Sequence, residues 1–186
     1  MIIGKRHNYC FIHIPKTGGS SITKALVDYE GWKLGVKVDE HAWQIRLHSH
    51  GGMHGPPNRN YEEESFCVVR DPWTRLASVY RSATSGDKGK TLSTWLDQFL
   101  GNDPGCGWRF RAKQYDYWVL SKKVILFEDL ETEWARLTMG WPGTVPPLDH
   151  LNRSGERAIY MDRDSVDRIG EFEAATIERF GYEPPQ

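Results

Sequence analysis

The apolar positions of this chain fall into short unbroken runs separated by stretches of helical spacing. Residues 66–69 read FCVV, with no polar alternation. Such a run predicts a strand buried on both faces, the habit of a parallel sheet. Residues 9–14 and 123–127 predict two more strands, the latter around VILF. Elsewhere the period is that of a helix. Ile22, Ala25 and Leu26 share one face of a helix over 20–29. Leu76, Val79, Tyr80 and Ala83 form the inward stripe of another over 72–83, with Asp71 as its N-cap and Pro72 at its first position. Leu92, Trp95, Leu96 and Phe99 mark a helix over 91–100. Helices are also predicted over 108–120, 128–139 and 164–180, the last with Val166, Ile169, Phe172, Ile177 and Phe180 apolar. Residues 32–38 suggest a short strand and 41–47 a brief helix. Gly51, Gly52, Gly55, Pro56 and Pro57 make 48–60 a loop, and 140–147 is rich in turn residues. Strands alternating with helices predict an α/β fold with a mostly parallel central sheet flanked by helices.

Composition narrows the class. A chain of 186 residues is long enough for a real core and predicts one domain spanning 1–186. A formal net charge of −1 argues against a nucleic-acid coat or a basic membrane patch. No segment reads as a signal peptide, and no apolar run is long enough for a transmembrane anchor, so a cytoplasmic protein is expected. The three cysteines, Cys10, Cys67 and Cys106, are too widely spaced for a disulfide framework or a zinc pattern. Cys10 and Cys67 lie in strand runs and read as small buried residues in a reducing compartment.

The first strand leads into chemistry. IPKTGGSSI, residues 14–22, is a strand end, a glycine-containing turn and a helix start. Gly18 and Gly19 let the backbone approach a ligand, Ser20 and Ser21 stand at the start of the helix, and Lys16 adds a full charge. Open N–H groups and the positive end of the helix dipole make this an anion cradle. In the familiar nucleotide loop the lysine follows the glycines. Here it precedes them, which weighs against an ordinary ATPase or kinase. After the second strand, VRDPWTRLASVY (residues 69–80) delivers Arg70 at a strand end, where open α/β sheets bind ligands, with Ser78 further along the helix. Arg75 and Arg81 read as solvated helix charges. Two anion sites on one sheet edge suit a ligand phosphorylated at two separated positions.

These two motifs, in this order and each after a strand, resemble the cofactor motifs of sulfotransferases, most closely those of the carbohydrate branch. IPKTGGSSI resembles the 5′-phosphosulfate loop. VRDPWTRLASVY resembles the 3′-phosphate motif, in which an arginine and a later serine hold the 3′-phosphate of 3′-phosphoadenosine-5′-phosphosulfate (PAPS). Weaker echoes follow in Gln114, in ILFEDL (125–130), in HLNRS (150–154), a loop that closes over the cofactor, and in ERFGYE (178–183). The resemblance implies a three-layer, P-loop-like α/β fold and a PAPS-dependent transferase moving a sulfuryl group to an acceptor hydroxyl or amine, with no metal.

On that reading Lys16 stabilises the leaving oxygen, and Thr17, Gly18, Gly19, Ser20 and Ser21 hold the 5′-phosphate. Arg70 and Ser78 hold the 3′-phosphate, and Arg153 reaches a phosphate from the covering loop. The base that takes the acceptor proton is assigned to His41, with Glu40, His48, His50 and His54 left open. HSHGGMH (48–54) also invites a zinc reading, but no carboxylate or cysteine completes it. His13 is expected mid-strand without a role, and Glu128 and Asp129 cap a helix. The acceptor is a carbohydrate or glycolipid on this resemblance, and the short chain leaves room for a homodimer to complete the acceptor side. Two other readings stay open: a kinase or other nucleotide phosphotransferase, and a non-catalytic nucleotide- or glycan-binding module.

Overall fold

A computed structural model describes residues 2–4, 6–7, 9–31, 65–84, 89–101, 111–149 and 159–186. They group into two compact units. One is built from Met1–Val69 and Tyr117–Arg153, the other from Arg70–Asp116 and Ser154–Gln186.

The first unit holds the sheet. Its four strands are β1 (Ile2–Ile3), β2 (Cys10–Ile12), β3 (Ser65–Val69) and β4 (Lys123–Leu126), in that spatial order. β2, β3 and β4 run parallel, and β1 pairs antiparallel with β2. Register places Phe11 opposite Phe66, and Val68 opposite Ile125. These four residues therefore share one face, and with Ile22, Ala25 and Leu26 of helix α1 (Gly19–Glu30) they form a single core. Cys10, Ile12, Cys67 and Val69 occupy the opposite face and are buried as well. A sheet buried on both faces explains why these strands read as continuous apolar runs. The result is the expected α/β class, a mostly parallel sheet flanked by helices.

β4 departs from the expected fully buried strand. Only Ile125 is buried, Lys123 is exposed, and Phe127 has already left the strand for a 3-10 turn, Phe127–Asp129. Helix α5 (Leu130–Thr138) follows. No side-chain bond from Asp129 caps it, so the capping role expected of this acid is not seen. The turn-rich segment beyond α5 is tied into the core. Trp141 stacks on Tyr9 with ring centroids 4.8 Å apart, Trp134 Nε1 donates to Pro146 O at 3.1 Å, and the Tyr29 hydroxyl donates to Pro142 O at 2.9 Å.

The second unit is helical. Helices α2 (Pro72–Ala83), α3 (Leu92–Leu100) and α6 (Arg163–Phe172) enclose Trp73, Leu76, Val79, Trp95, Leu96, Phe99, Val166 and Ile169. Trp73 Nε1 donates to Val166 O at 2.9 Å, fixing α2 against α6. Ala83, expected on the inward stripe, is exposed at the last turn of α2. Of the helix expected over 108–120, the described part is a single turn, α4 (Tyr115–Trp118), which spans the boundary between the units. The helix expected over 164–180 is two, α6 and α7 (Ala174–Phe180), interrupted at Glu173. The expected strand over 32–38, helix over 41–47 and loop over 48–60 lie outside the described residues.

Candidate anion-binding site

The loop between β2 and α1 is shaped by two left-handed residues. Lys16 has φ 70° and Gly18 has φ 81°. For glycine this is free, but for lysine it carries steric cost, and such strain concentrates at functional positions. Thr17 lies between them, fully buried, with Oγ1 donating to Ile14 O at 2.9 Å. Its hydroxyl proton is thus committed to the loop's own shape rather than to the ligand contact expected of it.

Close packing explains the paired glycines. A Cβ on Gly19 would lie 1.9 Å from His13 Nε2, so the imidazole occupies the space a side chain would need. His13 sits just beyond β2, not mid-strand, and its ring stacks on Phe11 at 5.6 Å. A Cβ on Gly18 would lie 3.0 Å from Leu130 Cδ2 and 3.1 Å from Phe127 Cε2. The ILFEDL segment therefore backs the loop from behind.

The start of α1 lacks both a side-chain cap and a first-turn acid; α5 also lacks a side-chain cap, but Glu131 and Glu133 stand in its first turn. Asp71 caps α2, Thr91 caps α3 and Asp162 caps α6, each through a side-chain oxygen accepting a backbone N–H, at 2.7, 3.2 and 2.8 Å respectively. The N-cap of α1 is Gly18, which has no side chain to offer, and the first turn holds no acid. The first ladder bond is Ser21 N–H to Gly18 O at 3.0 Å, leaving the Gly19 and Ser20 amides ahead of it. A helix end of this kind suits an external anion.

β2 and β3 are parallel neighbours, so both end on the same edge of the sheet. Arg70 is the next residue after β3, in the second unit, and it is held at several points. Its N–H donates to Gln114 Oε1 at 2.8 Å, and its carbonyl accepts from Gln114 Nε2 at 2.8 Å. Its guanidinium Nε donates to Thr74 Oγ1 at 3.1 Å. Ser78, on α2, is 5 % exposed.

Behind Gln114 lies a buried ion pair that overturns the reading of Arg75 as a solvated charge. Arg75 is fully buried, with Nη1 2.6 Å from Glu173 Oε1 and Nη2 donating to Ala112 O at 3.1 Å. The Gln114 N–H donates to the same carboxylate at 3.2 Å, and Thr176 Oγ1 donates to it at 3.0 Å. Burial pushes the Glu173 carboxyl upward, and Arg75 and these donors pull it back. Sequence reasoning missed Glu173. Its one signal was an acid interrupting an apolar stripe, between Phe172 and Thr176.

Arg153 and the base candidates Glu40, His41, His48, His50 and His54 lie outside the described residues, as does the whole HSHGGMH segment. Among the described residues, no group of three or more His, Cys, Asp or Glu side chains could hold a metal ion.

The family model described as the Sulfotransferase family matches residues 1–122. The chain belongs to the sulfotransferase family. The match takes in the β2–α1 loop, the Arg70–Ser78 segment and Gln114, whereas the HLNRS and ERFGYE segments lie beyond it. No curated protein and no solved structure matches the chain. Membership makes the protein a transferase of sulfuryl groups. Among the described residues, no helix of this sulfotransferase is long and apolar enough to cross a membrane.

Proposed function

We propose that this sulfotransferase takes its sulfuryl group from PAPS and passes it to an acceptor hydroxyl or amine, on a carbohydrate. The observation that carries the donor assignment is the start of α1. It has a glycine cap, no acid in its first turn and, two residues before that cap, a lysine in a strained backbone conformation. That combination fits a doubly charged 5′-phosphosulfate better than it fits any need of the fold. The carbohydrate acceptor rests on the resemblance of both motifs to that branch, and the reading takes 1–186 as one domain.

Each residue then has a chemical task. Backbone amides from Thr17 to Ser20, with the Ser20 and Ser21 hydroxyls, hold the 5′-phosphate. The acceptor oxygen or nitrogen forms a bond to sulfur while the bond from sulfur to the bridging oxygen breaks. Lys16 stabilises the negative charge gathering on that oxygen. The acceptor proton goes to a base, assigned to His41, with Glu40, His48, His50 and His54 as alternatives. Arg70 and Ser78 hold the 3′-phosphate, aided by Arg153, and adenosine 3′,5′-bisphosphate leaves.

The test compares sulfuryl transfer from PAPS with phosphoryl transfer from ATP across a glycan panel, for the wild type and Lys16→Ala. PAPS alone should serve as donor. Lys16→Ala should lower turnover by roughly 100- to 1000-fold while the affinity for adenosine 3′,5′-bisphosphate changes far less. Turnover with ATP would favour a phosphotransferase. Binding without turnover on any acceptor would favour a non-catalytic module.

A further inference from the structure

We propose that Gln114 and Thr74 are positioning residues that make Arg70 a selector for a 3′-phosphorylated nucleotide. The inference rests on the reading of Arg70 given above and goes beyond it, because neither residue is expected to touch the ligand.

Gln114 is fully buried, and its carboxamide grips one residue twice. Oε1 accepts from Arg70 N–H and Nε2 donates to Arg70 O, both at 2.8 Å. Only one orientation of the amide works, since a flipped carboxamide would set donor against donor and acceptor against acceptor. The two bonds fix the peptide groups on both sides of the Arg70 Cα. That residue is the junction between β3 and α2, where a chain leaving a sheet would otherwise be free to swing. Thr74 works on the other end of the same side chain. Its Oγ1 accepts from Arg70 Nε at 3.1 Å and donates to Asp71 O at 3.1 Å, so the guanidinium plane is set by the first turn of α2.

The apparatus behind Gln114 is larger than its anchoring requires. The Gln114 N–H meets the carboxylate of Glu173, which is held by Arg75 and Thr176, all of them buried. A buried ion pair is a poor device for stability, since apolar residues of similar volume often serve as well. It is a good device for fixing a position. An arginine held in one rotamer loses less freedom when it meets a phosphate, and a fork aimed at one place distinguishes a nucleotide with a phosphate there from one without.

The experiment is titration calorimetry on the full chain at fixed ionic strength, with adenosine 3′,5′-bisphosphate and adenosine 5′-monophosphate as the two ligands. Gln114→Met and Thr74→Val should each weaken bisphosphate binding by about tenfold, the worth of one or two lost hydrogen bonds. Monophosphate binding should stay within about twofold, because a positioning defect at Arg70 is felt only through the 3′-phosphate. Thr74→Ser should restore wild-type selectivity, and Gln114→Met should have no further effect in an Arg70→Ala background. A merely structural residue would lower both affinities together, or add its full effect to Arg70→Ala, and either result overturns the inference. Unchanged selectivity in both variants overturns it as well. If Gln114→Met does not fold by circular dichroism, the exposed Thr74→Val and Thr74→Ser pair decides the question. A wild type that binds both nucleotides equally is a different failure, since it removes the 3′-phosphate role of Arg70 itself.

Discussion

Lys16 spends conformational energy that a glycine in its place would not. Its φ of 70° carries a steric cost of roughly 1–2 kcal/mol for a residue with a Cβ. A glycine there would relieve that cost and lose roughly 0.5–1 kcal/mol to the added freedom of the unfolded chain. Lys16→Gly should therefore leave the stability equal to the wild type or up to about 1.5 kcal/mol higher, whereas Lys16→Ala keeps the strain. Both should lose turnover. Urea denaturation beside activity checks this, and a Lys16→Gly protein clearly less stable than the wild type would remove the strain argument. The neighbouring glycines could be read from the sequence as a place of close approach. What approaches Gly19 could not, because His13 looked like a strand residue and its ring reaches the loop only once β2 ends early.

The helices show where local pattern is enough and where it is not. α2 and α3 follow their apolar spacing closely, and Asp71 and Pro72 mark the start of α2 as expected. The C-terminal segment reads as one amphipathic helix yet divides at Glu173. Periodicity averages over a window, so it does not register a single residue whose carboxylate is drawn inward by an arginine far away in sequence. For the same reason Arg75 looked solvated: its partner is 98 positions on. Glu173→Ala would leave the Arg75 guanidinium buried without its counter-charge, at a cost of roughly 3–5 kcal/mol. Chemical denaturation monitored by circular dichroism should show that loss. A change below about 1 kcal/mol, the scale of an exposed pair, would mean that water reaches the guanidinium.

At the scale of the molecule, the α/β class and the sulfotransferase family were legible, because the strands and the two motifs each depend on residues close together in the chain. The antiparallel β1 was not, since Ile2 and Ile3 carry too little pattern to announce a strand, and pairing with β2 alone defines it. Nor was the clamp on Arg70, which joins residues from three separated segments. The sheet has one more consequence. Cys10 and Cys67 lie on the same face of neighbouring strands, two residues apart in register and fully buried, with their thiols pushed up to about 11 and about 12 by that burial. Alkylation needs a thiolate within reach of the reagent, and the folded sheet supplies neither. Iodoacetamide labelling of these two sites, read by peptide mass spectrometry, should therefore advance together and only as fast as the strands part. The molecule carries its own clock for opening, and, on the donor proposed above, adenosine 3′,5′-bisphosphate should slow it.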